Sequence, residues 1–379
     1  MSHGYGLRWT LVLVATSFLS IAACEESFGP QPGFSPRIDR SMCDLDQEFL
    51  LSITNQDAIP SIDDPVFVDP DSPFVEYLAP DDRVIGLLVN EKAYAIPHNV
   101  LWFHEIVNFD TDLGPLAITY CPLTGSSMAF SRGDVDGVQF GVSGLLFKNN
   151  LVMYDRVEAQ SVWVQMQGEA ACGPSEGTRL DPWPVVEMRW DGWLALHPDT
   201  RVLGQNQKDA ITRSYGAENY PYGSYEDFGS DEFLYPGGMP ELDRRRPVKE
   251  RVLGVPPSVN DLPLAFPFGA LAGLDGPRQV VSFVHDGEDA LVLWDDEARG
   301  GMVFFARAHS GATVDLVPSV EGFVDQATGS VFSVDGQGRS GALGDTELVP
   351  VRDAFVAFWG AWAAFHPDTD LWLPTGSGS

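Results

Sequence analysis

Between Trp102 and Arg132 the chain gathers a thiol, an imidazole, a carboxylate and several hydroxyls. The stretch reads Trp102-Phe-His-Glu-Ile-Val-Asn108 and then Ile118-Thr-Tyr-Cys-Pro-Leu-Thr-Gly-Ser-Ser-Met-Ala-Phe-Ser-Arg132. Cys121 ends an apolar run and leads at once into Pro122 and Thr124-Gly-Ser-Ser127. A strand end whose N–H groups lie in a glycine turn can present a thiol and cradle an oxyanion. A thiolate needs a nearby imidazole or cation. His104 is the best-placed imidazole by sequence, with Glu105 or Asp155 to orient it. This gives one reading, a cysteine-dependent group-transfer enzyme with Cys121 as nucleophile, His104 as base and Glu105 as orienter. The same three side chains are competent Zn or Cu ligands, and Met128 or Met153 would suit copper. No Cys-x-x-Cys or His-x-x-x-His pair reinforces the metal reading. Thr124, three residues after Cys121, excludes a local redox dithiol. The bland alternative is a buried cysteine behaving as a small apolar residue.

Tyr154-Asp-Arg156 adds a guanidinium that can bind a carboxylate or phosphate, or pair with a neighbouring acid on the surface. Trp163 and Gln165 follow as pocket-lining candidates, with core packing the competing role for Trp163. The expected ligand-binding set is Tyr120, Thr124, Tyr154, Asp155, Arg156, Trp163 and Gln165.

The elements that must position these groups are short. Runs at 84–89 and 92–96 flank Asn90-Glu91 as a β-hairpin. Pro97 suits a first helical turn, and Leu101, His104 and Asn108 then share one face at helical spacing. Strands are expected at 116–121, 127–131, 138–142, 151–154 and 162–166, separated by glycine- and aspartate-rich turns. A helix ends at His197-Pro-Asp-Thr200.

The chain then repeats itself. Val84-Ile-Gly86 returns as Val252-Leu-Gly254, and Trp190, Trp193 and His197-Pro-Asp-Thr200 return as Trp359, Trp362 and His366-Pro-Asp-Thr369. Order and spacing together point to a tandem duplication. The expected fold is β-rich α+β in two duplicated domains of short antiparallel strands: 58–205 carrying the site and 251–379 degenerate. Cys121 aligns near Asp295, and His104-Glu105 near Leu274-Asp275, so the second copy lacks the cluster. Between the copies, 206–250 holds Tyr215, Tyr220, Tyr222, Tyr225 and Phe228, then Arg244-Arg-Arg246 and Lys249. It is either a lid over the first copy or packing at the domain interface.

Residues 1–23 carry a single basic residue, Arg8, followed by a mostly apolar run from Trp9 to Ala23 that is too short and interrupted to span a bilayer of about 30 Å. They fit a secretory signal. Ile21-Ala-Ala-Cys24 resembles the lipobox of bacterial lipoproteins, which implies a lipid on Cys24, a tether over 24–57 and attachment to a membrane. Glu25 in place of aspartate points to the outer membrane or cell surface. The chain carries 23 basic and 54 acidic residues, net −31, and such a surface repels phosphate backbones, which argues against nucleic acid. With Cys24 acylated, Cys43, Cys121 and Cys172 remain. An odd count leaves one free thiol; the expected pair is Cys43 with Cys172, leaving Cys121 free, and the alternative, Cys121 with Cys172, would remove the candidate nucleophile.

His104-Glu-Ile-Val-Asn108, Thr119-Tyr-Cys-Pro-Leu-Thr-Gly125, Phe140-Gly-Val-Ser-Gly144, Met153-Tyr-Asp-Arg156 and the run from Trp163 to Pro174 together resemble the secreted bacterial family catalogued as domain-of-unknown-function family 3179. The resemblance is strong over 58–210 and weak beyond. It implies no activity. The family pattern there looks like Cys-Pro-Leu-Cys-Gly, so Thr124 makes this a one-thiol site. The leading expectation is a lipid-anchored, extracytoplasmic protein binding a small ligand or metal through Cys121, His104, Glu105 and Arg156. A structural envelope protein is the third reading.

Overall fold

Asn90 and Glu91 separate two runs of apolar residues, and both take left-handed conformations, φ 50° and 64°. Two-residue turns of that kind match the right-handed twist of the strands they join. The hairpin Arg83–Val89 with Lys92–Pro97 results. The computed structural model describes Met1 and residues 43–157, 160–208 and 214–374. The expected signal segment, Cys24 and most of the tether lie outside the described residues. Within them the chain is β-rich α+β, with 26 strands and four helices. The helices are α1 (His98–Leu101), α2 (Trp190–Leu196), α3 (Phe268–Ala272) and α4 (Trp359–Phe365).

The helix expected to carry His104 and Asn108 is shorter than its spacing suggested. It stops after Leu101, Glu105 takes φ 56°, and Asn108 sits in the strand Ile106–Thr111. Pairing of that strand with Gly114–Cys121 overrides helical periodicity. The end of the expected tether is also folded. Strand Leu50–Ser52 pairs with Phe140–Phe147, and Cys43 is joined to Cys172 by a disulfide.

The two halves exchange strands. An eight-stranded sheet joins Ile106–Thr111, Gly114–Cys121, Ser126–Ser131 and Asp181–Trp183 to Phe355–Phe358, Arg251–Val255, Leu264–Pro267 and Asp370–Leu371. A nine-stranded sheet reverses the arrangement: Arg278–His285, Glu288–Asp295 and Gly300–Ala308 adjoin Val186–Arg189, Arg83–Val89 and Lys92–Pro97. The seams are the register pairs Ser127↔Val356 and Glu187↔Gly301. One hydrophobic cluster accordingly mixes Cys121, Phe130 and Trp163 with Phe358, Trp359 and Trp362. The stretches read from sequence as successive copies are thus interleaved, not side by side.

The motifs common to both halves serve packing. A Cβ on Gly86 would lie 2.4 Å from Trp193, and one on Gly254 would lie 2.2 Å from Trp362. Each indole donates to a threonine hydroxyl, Trp193 to Thr200 and Trp362 to Thr369, both at 2.9 Å. The polar orphan of each tryptophan is thereby satisfied inside an apolar core.

Candidate functional site

Cys121 lies at the end of its strand and is 1% exposed. Its thiol points to the Asn149 carbonyl at 3.6 Å. Burial, and the Glu105 carboxylate after it, push its pKa up to about 11. His104 is not its partner. The His104 Nε2 faces the Tyr215 hydroxyl at 2.7 Å and Nδ1 faces the Pro60 carbonyl at 2.8 Å. The ring is committed to holding the N-terminal segment and the linker, so it is not free to act as base for the thiol. Nor is the glycine turn an open oxyanion hole. Gly125 has φ 59°, and a Cβ there would lie 2.8 Å from the Phe358 ring, so a residue of the second half closes it. Among the described residues no three His, Cys, Asp or Glu side chains gather as ligands for a metal. The proposed set Cys121, His104 and Glu105 does not converge on one point for Zn or Cu.

Several other expected site residues brace the fold. Gln165 donates to Thr119 Oγ1 at 3.0 Å and to the Ser126 carbonyl at 3.1 Å. Its Oε1 accepts from Ser126 at 2.6 Å and from Asn150 at 2.7 Å. Asn150 also donates to Thr124 Oγ1 at 3.0 Å. Every member of this network is buried and well partnered, which fixes the turn after Cys121 and leaves nothing for a ligand. Asp155 accepts from the Ser161 N–H at 2.7 Å and the Trp163 indole at 3.2 Å. Arg156 and Tyr154 both clamp Asp57, at 2.9 Å and 2.5 Å. That side of the expected pocket is an anchor for the N-terminal segment.

The Glu105 carboxyl acts electrostatically on the Cys121 thiol, and linker residues pack near the turn after Cys121. Glu105 is 5% exposed. Burial raises its pKa from 4.5 to about 8. Its left-handed backbone costs about 1–2 kcal/mol. Burial raises the Tyr222 pKa, and the neighbouring Glu105 and Cys121 groups raise it further. Tyr225 donates to the Leu123 carbonyl at 2.7 Å, and Asn149 holds the linker at Tyr235 through both its amide atoms, at 2.8 Å and 3.0 Å. Lys249 completes the group. Its Nζ stands 3.2 Å from the Tyr225 ring centre, 4.3 Å from Phe233 and 5.2 Å from Phe358. That nitrogen is buried with no hydrogen-bond partner among the described residues. Desolvation brings its pKa down from 10.5 to about 7, against the attraction of Glu226 and Cys121.

Beside this site lies a charged seam. Glu187 is 1% exposed. It bonds Arg83 at 2.5 Å, approaches Arg251 at 3.4 Å and accepts from Ser127 at 2.6 Å. Burial raises its pKa, but the two guanidiniums outweigh that and bring it to about 2. Burial lowers His98 to about 3, so its ring is neutral. Ser127 spends its proton on Glu187, so the 3.1 Å contact between His98 Nε2 and Ser127 Oγ has the histidine donating. A histidine that donates is no base, and Ser127 is therefore not an activated nucleophile. Arg251 reaches Glu226 at 2.9 Å, and Tyr120 donates to Glu226 at 3.3 Å. Tyr120 thus faces the seam and not the thiol.

The sequence reading missed Glu187, Arg83, Arg251, His98 and Glu226, and treated Lys249 only as part of a basic run. One signal was present: Arg83-Val-Ile-Gly86 and Arg251-Val-Leu-Gly254 each open with an arginine before a similar apolar run. Both converge on the single carboxylate where the halves meet.

The model of the family described as protein of unknown function (DUF3179) matches residues 56–369. The chain belongs to that family. The match runs through both halves and the linker, so the family unit is the whole interleaved fold, beyond the 58–210 over which the motifs stand out. No curated protein and no solved structure matches the chain.

Proposed function

We propose that this is a lipid-anchored, extracytoplasmic protein that binds a small ligand in the interior site formed by Cys121, Glu105, Tyr222, Tyr225 and Lys249. One observation carries the reading. Lys249 Nζ is buried without a hydrogen-bonding partner among the described residues, and burial of Glu105, 5% exposed, raises its pKa. An unpaired buried ionisable group costs several kcal/mol, and such groups, with shifted pKa values, cluster where ligands are handled. The seam beside the site shows what the same chain does when it needs only stability: Glu187 has three partners. Metal is not part of the proposal.

The anchor rests on Ile21-Ala-Ala-Cys24 and the apolar run before it. Among the described residues no helix is long and apolar enough to cross a membrane. Labelled palmitate is expected in the wild-type chain and absent from Cys24→Ser; label retained in that variant contradicts lipidation at Cys24.

Ligand binding is tested by thermal shift against small carboxylates, amines and carbonyl compounds. A ligand at 100 times its Kd raises stability by about 2.7 kcal/mol. Some compounds are expected to raise the melting temperature, and Glu105→Gln and Lys249→Met to abolish those shifts while staying folded. Shifts that persist in both variants, or none in the wild type, contradict the reading.

A further inference from the structure

We infer that a cleft at the seam between the halves, independent of the Cys121 region, binds a small apolar molecule carrying a quaternary ammonium. The cleft follows from the strand pairing. One edge of Gly300–Ala308 is shared by two neighbours: Val186–Arg189 meets it at Glu187↔Gly301, and Leu348–Pro350 meets it at Phe304 and Ala308. Just before Val186 the chain belongs to the other sheet, where Trp183 pairs with Ala129. Among the described residues no strand fills the gap between Val186 and Pro350, and a cleft of about 310 Å³ opens there. That volume falls at the low end of ligand-binding clefts, and close-packed proteins leave few hollows of the kind. The walls come from both halves, with Trp183, Val186 and Trp193 facing Phe304, Leu348 and Pro350.

The polar atoms of the lining select the ligand. The Trp183 indole donates to the Leu88 carbonyl at 3.3 Å, and the Trp193 indole donates to Thr200 at 2.9 Å. Asp335, 7% exposed, accepts from Ser333 at 2.5 Å and faces His197 Nε2 at 2.6 Å. Arg352 is held by Asp181 at 2.9 Å. These groups are committed to the fold, so toward them a ligand meets rings and charge in place of open hydrogen-bonding partners. The other polar side chains of the lining, His309, Gln337 and Glu347, are exposed or half-buried. A primary amine or a carboxylate would leave its hydrogen bonds to water unreplaced. A quaternary ammonium has none to lose and is attracted to aromatic rings. The sign of the charge follows from the same residues. Asp335, Glu347 and Asp181 stand against Arg352 and against Arg339, which approaches Asp335 at 3.7 Å. The guanidinium that lines the cleft already has its counter-ion, so an anion gains little. The exposed Glu347 also disfavours the phosphate that adjoins a choline headgroup in a phospholipid, which makes the ligand a free molecule.

Isothermal titration calorimetry of the full chain tests this, at pH 8, above the ordinary histidine range. The probes are benzyltrimethylammonium and 3-phenylpropanoate. The ammonium is expected to bind and the carboxylate to give no heat of binding. The ammonium's Kd is expected to rise about threefold in Glu347→Gln, the size of an exposed ion pair, and about tenfold in Trp183→Ala, which removes an aromatic wall. Glu347 is exposed, so its variant decides the matter if Trp183→Ala fails to fold by circular dichroism. Phosphatidylcholine vesicles are expected not to compete, and competition would overturn the choice of a free molecule. No binding of the ammonium, equal binding of 3-phenylpropanoate, or an affinity unchanged in either folded variant would overturn the site.

Discussion

Lys249 and Glu105 pull the pH dependence of stability in opposite directions. Lys249 has a folded pKa of about 7 below its unfolded value, so the unfolded chain binds the proton more tightly. Its contribution therefore rises with pH from about 7 to the unfolded lysine range near 10.4. Glu105, at about 8 when folded, is raised above its unfolded value near 4.3, and its contribution falls as pH climbs from there to about 8. Lys249→Met is expected to stabilise by roughly 1–4 kcal/mol at pH 6, with the gain shrinking toward pH 10. Glu105→Gln is expected to gain over the wild type as pH rises from 5 to 8. Urea titrations across that range check both; a pH-independent effect of either substitution contradicts its assigned pKa. At this scale sequence reasoning singled out Cys121 and Glu105 by density of reactive types. It could not find Lys249, whose isolation comes from three aromatic rings at positions 225, 233 and 358.

Short elements hold the site by clamps at their ends. The Cys43–Cys172 disulfide spans 129 residues of sequence and ties the N-terminal segment to the strand Glu169–Cys172. Cys43→Ser is expected to cost about 2–5 kcal/mol, read as a fall in melting temperature. In the same protein Cys121 stays unreactive toward iodoacetamide until denaturant is added, because it is buried and its pKa is high. Rapid alkylation of Cys121 in the native state contradicts that placement. The hairpin at Asn90-Glu91 and the strand ending at Cys121 were legible, because two-residue turns and apolar runs are local signals. The helix over 97–108 was misread because Glu105 adopts a left-handed backbone, which no spacing rule reveals.

Across the whole molecule the decisive feature is strand exchange. The Phe355–Phe358 and Val186–Arg189 strands each complete a sheet begun by the other half, and the seam between them carries Arg83, Glu187 and Arg251. Residues 43–208 and 214–374 produced separately are expected to remain unfolded, and to recover native β-sheet circular dichroism when mixed. A half that folds alone, with dispersed amide resonances, contradicts the interleaving. Glu187→Gln leaves two buried guanidiniums under-compensated and is expected to cost about 3–5 kcal/mol. Similar motifs were visible in the two halves of the sequence, yet matching motifs say nothing of how the halves pair. Whether they sit side by side or trade strands depends on pairings such as Glu187↔Gly301, more than a hundred residues apart in the chain.

The central claim is an amine buried without a hydrogen-bonding partner beside Cys121. Four lysines make it directly measurable by an NMR titration of the protein labelled at lysine side chains. One resonance, assigned by its loss in Lys249→Arg, is predicted to titrate near pH 7, while Lys92 and Lys208 titrate in the ordinary lysine range. A Lys249 midpoint in that ordinary range would contradict the account.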